Sequence, residues 1–117
     1  MTTKPSVLVL STDLMSSVRI VDSVTALGYV ARSVDRAADL SGAVADLVVI
    51  DIASSPAPPA QAVAQLRQDS PSARFIAVYR HTDPEQARAA RAAGCDVVLN
   101  RAQFFGDIAG ALTRASA

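Results

Sequence analysis

The chain has 117 residues, enough for one domain with a real core. Half of them are hydrophobic but only 4% are aromatic, so the interior must be filled mainly by Val, Ala, Leu and Ile. Eleven acids balance eleven bases, which argues against nucleic-acid or membrane-surface binding driven by bulk charge. The single cysteine, Cys95, cannot form an internal disulfide, and no zinc-ligand spacing is present. Cys95 reads as a small, near-buried residue ahead of a strand.

Val7-Leu-Val-Leu10 is an unbroken apolar run and reads as a strand covered on both faces. It is too short for a signal-peptide core or a membrane span, so a cytoplasmic location is expected. Ser11, Thr12 and Asp13 follow, each able to cap a helix. From Leu14 the pattern turns helical, with Val18, Val21 and Leu27 on one side, until Gly28 stops it. Tyr29 to Val34 is a short strand, and Asp35 caps a brief second helix, about Arg36 to Val44.

Asp46-Leu-Val-Val-Ile-Asp-Ile52 is the centre of the pattern. Leu47 to Ile50 is a second fully apolar strand, and it stops at Asp51 before the Pro- and Ser-rich loop 53–59. A carboxylate therefore stands at the carboxyl end of a central strand, where open α/β sheets collect ligands and chemistry. Pro58 and Pro59 suit the first turn of a third helix running to about Gln68. Phe75 to Tyr79 is the fourth strand. Asp83-Pro84 with Gln86 reads as a capping box opening a fourth helix that ends at Gly94. Val97 to Leu99 is the fifth strand. Phe104, Phe105, Ile108, Ala111 and Leu112 give a single last helix its apolar side. Strict alternation predicts a doubly wound parallel sheet of order 2-1-3-4-5 with helices on both faces. Residues 1–117 then form one domain, with Ser11 to Asp13 facing Asp51 across a crevice.

Three segments in this order, Asp46-Leu-Val-Val-Ile-Asp51, Phe75-Ile-Ala-Val-Tyr79 and Ala93-Gly-Cys-Asp-Val-Val-Leu99, resemble the receiver domain of two-component response regulators. The resemblance covers nearly the whole chain and implies a flavodoxin-like, receiver-like fold. It makes Asp51 the position that accepts a phosphoryl group from a histidine kinase. It also implies several departures. Ser11 and Thr12 stand where the family has the acidic pair that holds Mg²⁺, and Mg²⁺ prefers hard, anionic oxygens. Tyr79 replaces the small hydroxyl residue after the fourth strand. Arg101 replaces the Lys after the fifth, a planar fork for a point charge. Ala102 follows it where the family has Pro. The switch aromatic of the fifth strand is absent, with Val98 in its place.

Two readings of Asp51 follow. In one it accepts a phosphoryl group. In the other it is a strand-end carboxylate, hydrogen-bonded to loop amides or paired with Arg101. Asp13 and Asp51 are the remaining carboxylates for a metal, with Asp13 reading rather as a helix cap. His81, without nearby ligand spacing, reads as a solvated loop residue. Ser54 and Ser55 are ordinary for a loop beside Pro, although either could be modified. Arg88 and Arg91 lie on neighbouring turns of one helix face. With Val98 they mark a surface built from the fourth helix, fifth strand and last helix, which in the family commonly meets partners.

The expected function is a stand-alone signalling module of the response-regulator type. It acts on a protein partner, or on a second copy, without Mg-dependent aspartyl phosphorylation and without a cofactor. The alternative is a working phospho-receiver served by a histidine kinase. A small α/β enzyme is the third reading, disfavoured because Ser11 to Ser17 holds no Gly for a phosphate loop and no nucleophile–base pair is visible.

Overall fold

The computed structural model describes residues 4–35, 44–54 and 58–116. Five strands, β1 (Ser6–Leu10), β2 (Val30–Val34), β3 (Leu47–Asp51), β4 (Arg74–Tyr79) and β5 (Val97–Asn100), form one parallel sheet. Its order is β2-β1-β3-β4-β5, as the alternation predicts. Every residue of β3 is buried, and so are Val7 to Leu10 of β1, because helices cover both faces there. At the edge, β2 is largely exposed.

Side chains alternate across a strand, so the apolar runs feed two cores. On one face Leu8, Leu10, Val48, Ile50 and Phe75 pack against α2 (Pro59–Asp69) and α3 (Pro84–Ala92) through Val63, Leu66 and Ala90. On the other, Val7, Val9, Val49, Ile76 and Val78 pack against α1 (Leu14–Ala26) through Ile20 and Val24. The helices α4 (Arg101–Gly106) and α5 (Ile108–Ser116) complete that face with Phe104, Ile108 and Leu112. Each fully buried large aliphatic side chain contributes about 1.5–3 kcal/mol.

Gly28 and Gly94 end α1 and α3 as expected, at φ 96° and 93°. Both close the same double turn. Tyr29 and Gly28 donate N–H to Val24 and Thr25, and Cys95 and Gly94 donate to Ala90 and Arg91.

Three expectations change or fall away. The second expected helix lies largely on residues 36–43, outside the described residues, so the fourth expected helix is α3 here. The capping box at α3 does not form. Asp83 makes no side-chain cap bond, and Gln86 Oε1 accepts instead from the Arg80 N–H at 2.9 Å. The complete box is at α4, where Asn100 and Gln103 exchange side-chain-to-backbone bonds. Finally, the last helix is two. It breaks at Asp107, whose carboxylate accepts from the Gly110 N–H at 2.9 Å and opens α5. The break lets Phe104 and Ile108 both turn into the same core.

Candidate functional site

The carboxyl ends of β1, β3 and β5 converge on Asp51, which is 1% exposed. The register sets Leu10 beside Ile50, so the residue after β1 faces the end of β3. That residue is Ser11, itself 2% exposed, and its Oγ lies 2.8 Å from Asp51 Oδ2. The turn after β3 brings Ser54 Oγ to 2.7 Å from the same oxygen. Each hydroxyl has one proton, and both are best spent on the carboxylate. The 3.1 Å separation between the two Oγ atoms is then a contact between acceptors. The Asp13 N–H donates to Ser11 Oγ at 3.2 Å and holds the hydroxyl in place.

Asp51 Oδ1 is treated differently. It accepts no hydrogen bond among the described residues, and Arg101 Nη1 stands 3.5 Å away as its ion-pair partner. Arg101 reaches the site because the Asn100 capping box starts α4 directly at the end of β5. Its Nη2 donates to Ser16 Oγ at 3.0 Å, and Ser16 in turn donates to Asp13 Oδ2 at 2.7 Å. Arg101 thus links Asp51 to Asp13 through one hydroxyl. The Ser16 bond is the chief cause holding the Asp13 carboxyl below its ordinary pKa, with backbone N–H groups at the helix start adding to it. Arg101 also lies over the Phe105 ring, 5.1 Å from its centroid, and Arg19 lies 4.3 Å from the same centroid.

The other expected site residues are only partly gathered. Thr12 Oγ1 turns away from Asp51 and donates to the Ser54 carbonyl at 2.6 Å. Asp13 is the cap of α1, accepting from the Met15 N–H at 3.1 Å. Tyr79 ends β4 half-buried and makes no hydrogen bond to Asp51 among the described residues. Among the described residues no loop amide bonds the Asp51 carboxylate; hydroxyls take that place. Ser54 is its partner, read from the sequence only as a loop residue. Arg80 Nη2 donates to the Ala53 carbonyl at 2.9 Å and ties the loop after β4 to the turn after β3.

A divalent ion finds a poor donor set here. Oδ2 of Asp51 accepts from two hydroxyls, Oδ1 faces a guanidinium, and the Asp13 oxygens are committed to the cap and to Ser16. Mg²⁺ requires octahedral oxygens with compensating charge, and these residues do not fit it. No cluster of three His, Cys, Asp or Glu occurs among the described residues.

On the surface expected to meet partners, Arg88 and Arg91 are exposed on α3, but Arg88 is ion-paired with Glu85. Val98 is half-buried against the core beneath α2 and α3. His81 is exposed. Cys95 is half-buried, and burial, with the Asp96 charge beside it, pushes its thiol up to about 11. It therefore stays protonated at neutral pH.

No known family's sequence profile matches the chain, and no curated protein is significantly similar to it. Solved structures are. The signal receiver domain of an HD domain-containing protein from Pseudomonas fluorescens Pf-5 aligns at TM-score 0.82 and 21% identity, over 99% of this chain and 89% of that one. Chemotaxis response regulator CheY4 of Vibrio cholerae aligns at TM-score 0.81 and 16% identity, over 97% and 99%. A Burkholderia pseudomallei response regulator with a phosphorylated aspartic acid and a calcium ion aligns at 0.78 and 19%, over 97% and 69%. The fold is that of a response-regulator receiver domain. On this receiver fold Asp51 ends the third strand, surrounded by Ser11, Ser54 and Arg101.

Proposed function

We propose that the chain is a cytoplasmic signalling module of the receiver type that works by protein contact and not as an enzyme. Its state is not set by Mg-dependent phosphorylation of Asp51. The observation that carries this reading is the closure of the carboxylate: at 1% exposure it has two hydroxyls on one oxygen and Arg101 on the other. In-line phosphoryl transfer depends on positioning and on neutralising charge with metal and cation. Here a cation is present, but the carboxylate that would attack is already engaged and the metal donors are missing. Tyr79 and Val98 stand where a small hydroxyl and an aromatic would form the switch, so the two-state element that phosphorylation biases has no parts. The partner then meets one standing surface, formed by α3, β5 and the α4–α5 pair, on which Arg91 is exposed and not ion-paired among the described residues.

Incubation with a small-molecule phosphodonor and Mg²⁺ should leave the mass of the intact protein and its amide spectrum unchanged. Replacing Arg88 and Arg91 with Glu should weaken partner capture, while Asp51→Ala leaves it intact. The second reading is a working phospho-receiver, favoured by the cation beside Asp51 and by the phosphorylated aspartic acid in the B. pseudomallei relative. Gain of one phosphoryl mass that is lost in Asp51→Asn would establish that reading instead.

A further inference from the structure

Helix α1 carries an apolar face that nothing among the described residues covers. Leu14 is 75% exposed, Met15 79% and Val18 50%. Single exposed aliphatic residues are ordinary, but these three are neighbours on one helix face. The opposite face of the same helix is buried through Ser16, Ser17, Ile20 and Val24. Thr25 and Ala26 continue the exposed face toward the C-terminus, and Arg19 and Asp22 stand exposed near its middle. Among the described residues neither Arg19 nor Asp22 has an ion-pair partner, and the Arg19 guanidinium rests over the Phe105 ring. A groove lined by Phe105, Leu14, Met15 and Val18 runs beside the face.

We propose that this face is a self-association surface, on which two copies of the chain pair their α1 helices antiparallel about a two-fold axis. The charge order selects this occupant. When the axis passes between positions 20 and 21, each Arg19 comes level with Asp22 of the other copy, and the two ion pairs are related by symmetry. In the same alignment Met15 comes level with Ala26 of the other copy, long side chain against short. Val18 lies across from the stretch between Asp22 and Thr25, and Leu14 packs at the margin. The face is thus its own complement, as an isologous contact requires. A parallel pairing in register would set Arg19 against Arg19 and is disfavoured. α1 covers the opposite side of the sheet from α3, so the dimer leaves Arg88 and Arg91 accessible. One helix pair buries little area, so the dimer is weak and forms with concentration.

Sedimentation equilibrium of the full chain from about 10 μM to about 1 mM should show a monomer–dimer equilibrium within that range. Asp22→Arg should raise the dissociation constant about tenfold or more, because both symmetric pairs turn repulsive at once. The double variant Arg19→Asp/Asp22→Arg restores both pairs in reversed sense and should return to within about threefold of the wild type. Met15→Glu should leave a monomer. Thermal melts of each variant separate a lost contact from a lost fold. A readout free of substitutions is the isotope-filtered NOE spectrum of mixed labelled and unlabelled wild-type chain, where Met15 and Ala26 methyls should show intermolecular contact. A chain that stays monomeric through the highest concentration would overturn the proposal. So would a dimer indifferent to Asp22→Arg, one not rescued by the swap, or one broken by Arg88→Glu/Arg91→Glu in its place.

Discussion

The two ends of the sheet treat carboxylates in opposite ways. At the amino end, Asp46 and Asp96 each precede a strand and lock it to a neighbour through backbone groups. Asp46 Oδ2 accepts from the Ser6 N–H at 2.8 Å while its own N–H donates to the Ser6 carbonyl. Asp96 Oδ2 accepts from the Phe75 N–H at 2.8 Å and its N–H donates to the Phe75 carbonyl. At the carboxyl end, the partners of the Asp51 carboxylate among the described residues are side chains: Ser11, Ser54 and Arg101. Backbone donors are present whatever the neighbouring residue is, so Asp46 and Asp96 are splices that the fold itself supplies. The surroundings of Asp51 depend on three particular side chains. This is the end of the sheet where α/β folds place chemistry, and where substitution can remake a site without disturbing the strands.

The largest effect should come from Arg101→Ala. It leaves a buried carboxylate whose Oδ1 has no other partner among the described residues, and should cost about 3 kcal/mol by urea unfolding. Asp51→Asn/Arg101→Ala should cost less than the two single changes added together, because the lone charge is gone. A loss for Arg101→Ala below about 1 kcal/mol would mean that the guanidinium does not hold Asp51. Ser11→Ala/Ser54→Ala strips both donors from Oδ2 and should cost about 2–3 kcal/mol. Because the hydroxyls share one oxygen, the double loss should depart from the sum of the single losses. At the other end of the sheet, Asp96→Ala should cost about 1 kcal/mol, since the Phe75 N–H lies where water can replace the carboxylate and the Arg74 pair is half exposed. A larger loss there than for the two serines would reverse the comparison.

The smallest effect is a change in pH dependence. The Asp13 carboxyl is held below 3.8, chiefly by Ser16. A depressed carboxyl pKa stabilises the fold above the unfolded value, and that stability is lost as pH falls through the folded value. The acid limb of stability should therefore be shallower in Asp13→Asn than in the wild type below about pH 4. Equal slopes would show that the Asp13–Ser16–Arg101 chain is not linked to folding.

Much of the architecture was legible from residues alone. The apolar runs Val7–Leu10 and Leu47–Ile50 specify strands buried on both faces, and their neighbours follow from strict alternation. Gly28 and Gly94 mark helix ends because the closing turn needs positive φ. The pairing of Asp51 with Arg101 was legible too, since one ends its strand and the other follows its strand at the same end of the sheet. The helix break at Gly106-Asp107 had a local signal, a Gly followed by a cap residue, hidden beneath a continuous apolar stripe.

Other features were decided only by tertiary structure. Nothing in Ser54 distinguishes it from any loop serine until the turn after β3 swings its hydroxyl onto Asp51. Thr12 adjoins Ser11 in sequence, yet its hydroxyl is drawn to the Ser54 carbonyl and not to Asp51. Gln86 is spaced to cap its own helix, but the Arg80 N–H at the end of β4 is the donor it meets. Strand and helix follow from periodic burial, which a sequence carries in its pattern of apolar residues. A polar side chain satisfies whichever donor or acceptor the folded chain brings within about 3 Å, and that choice is made by the path of the loops.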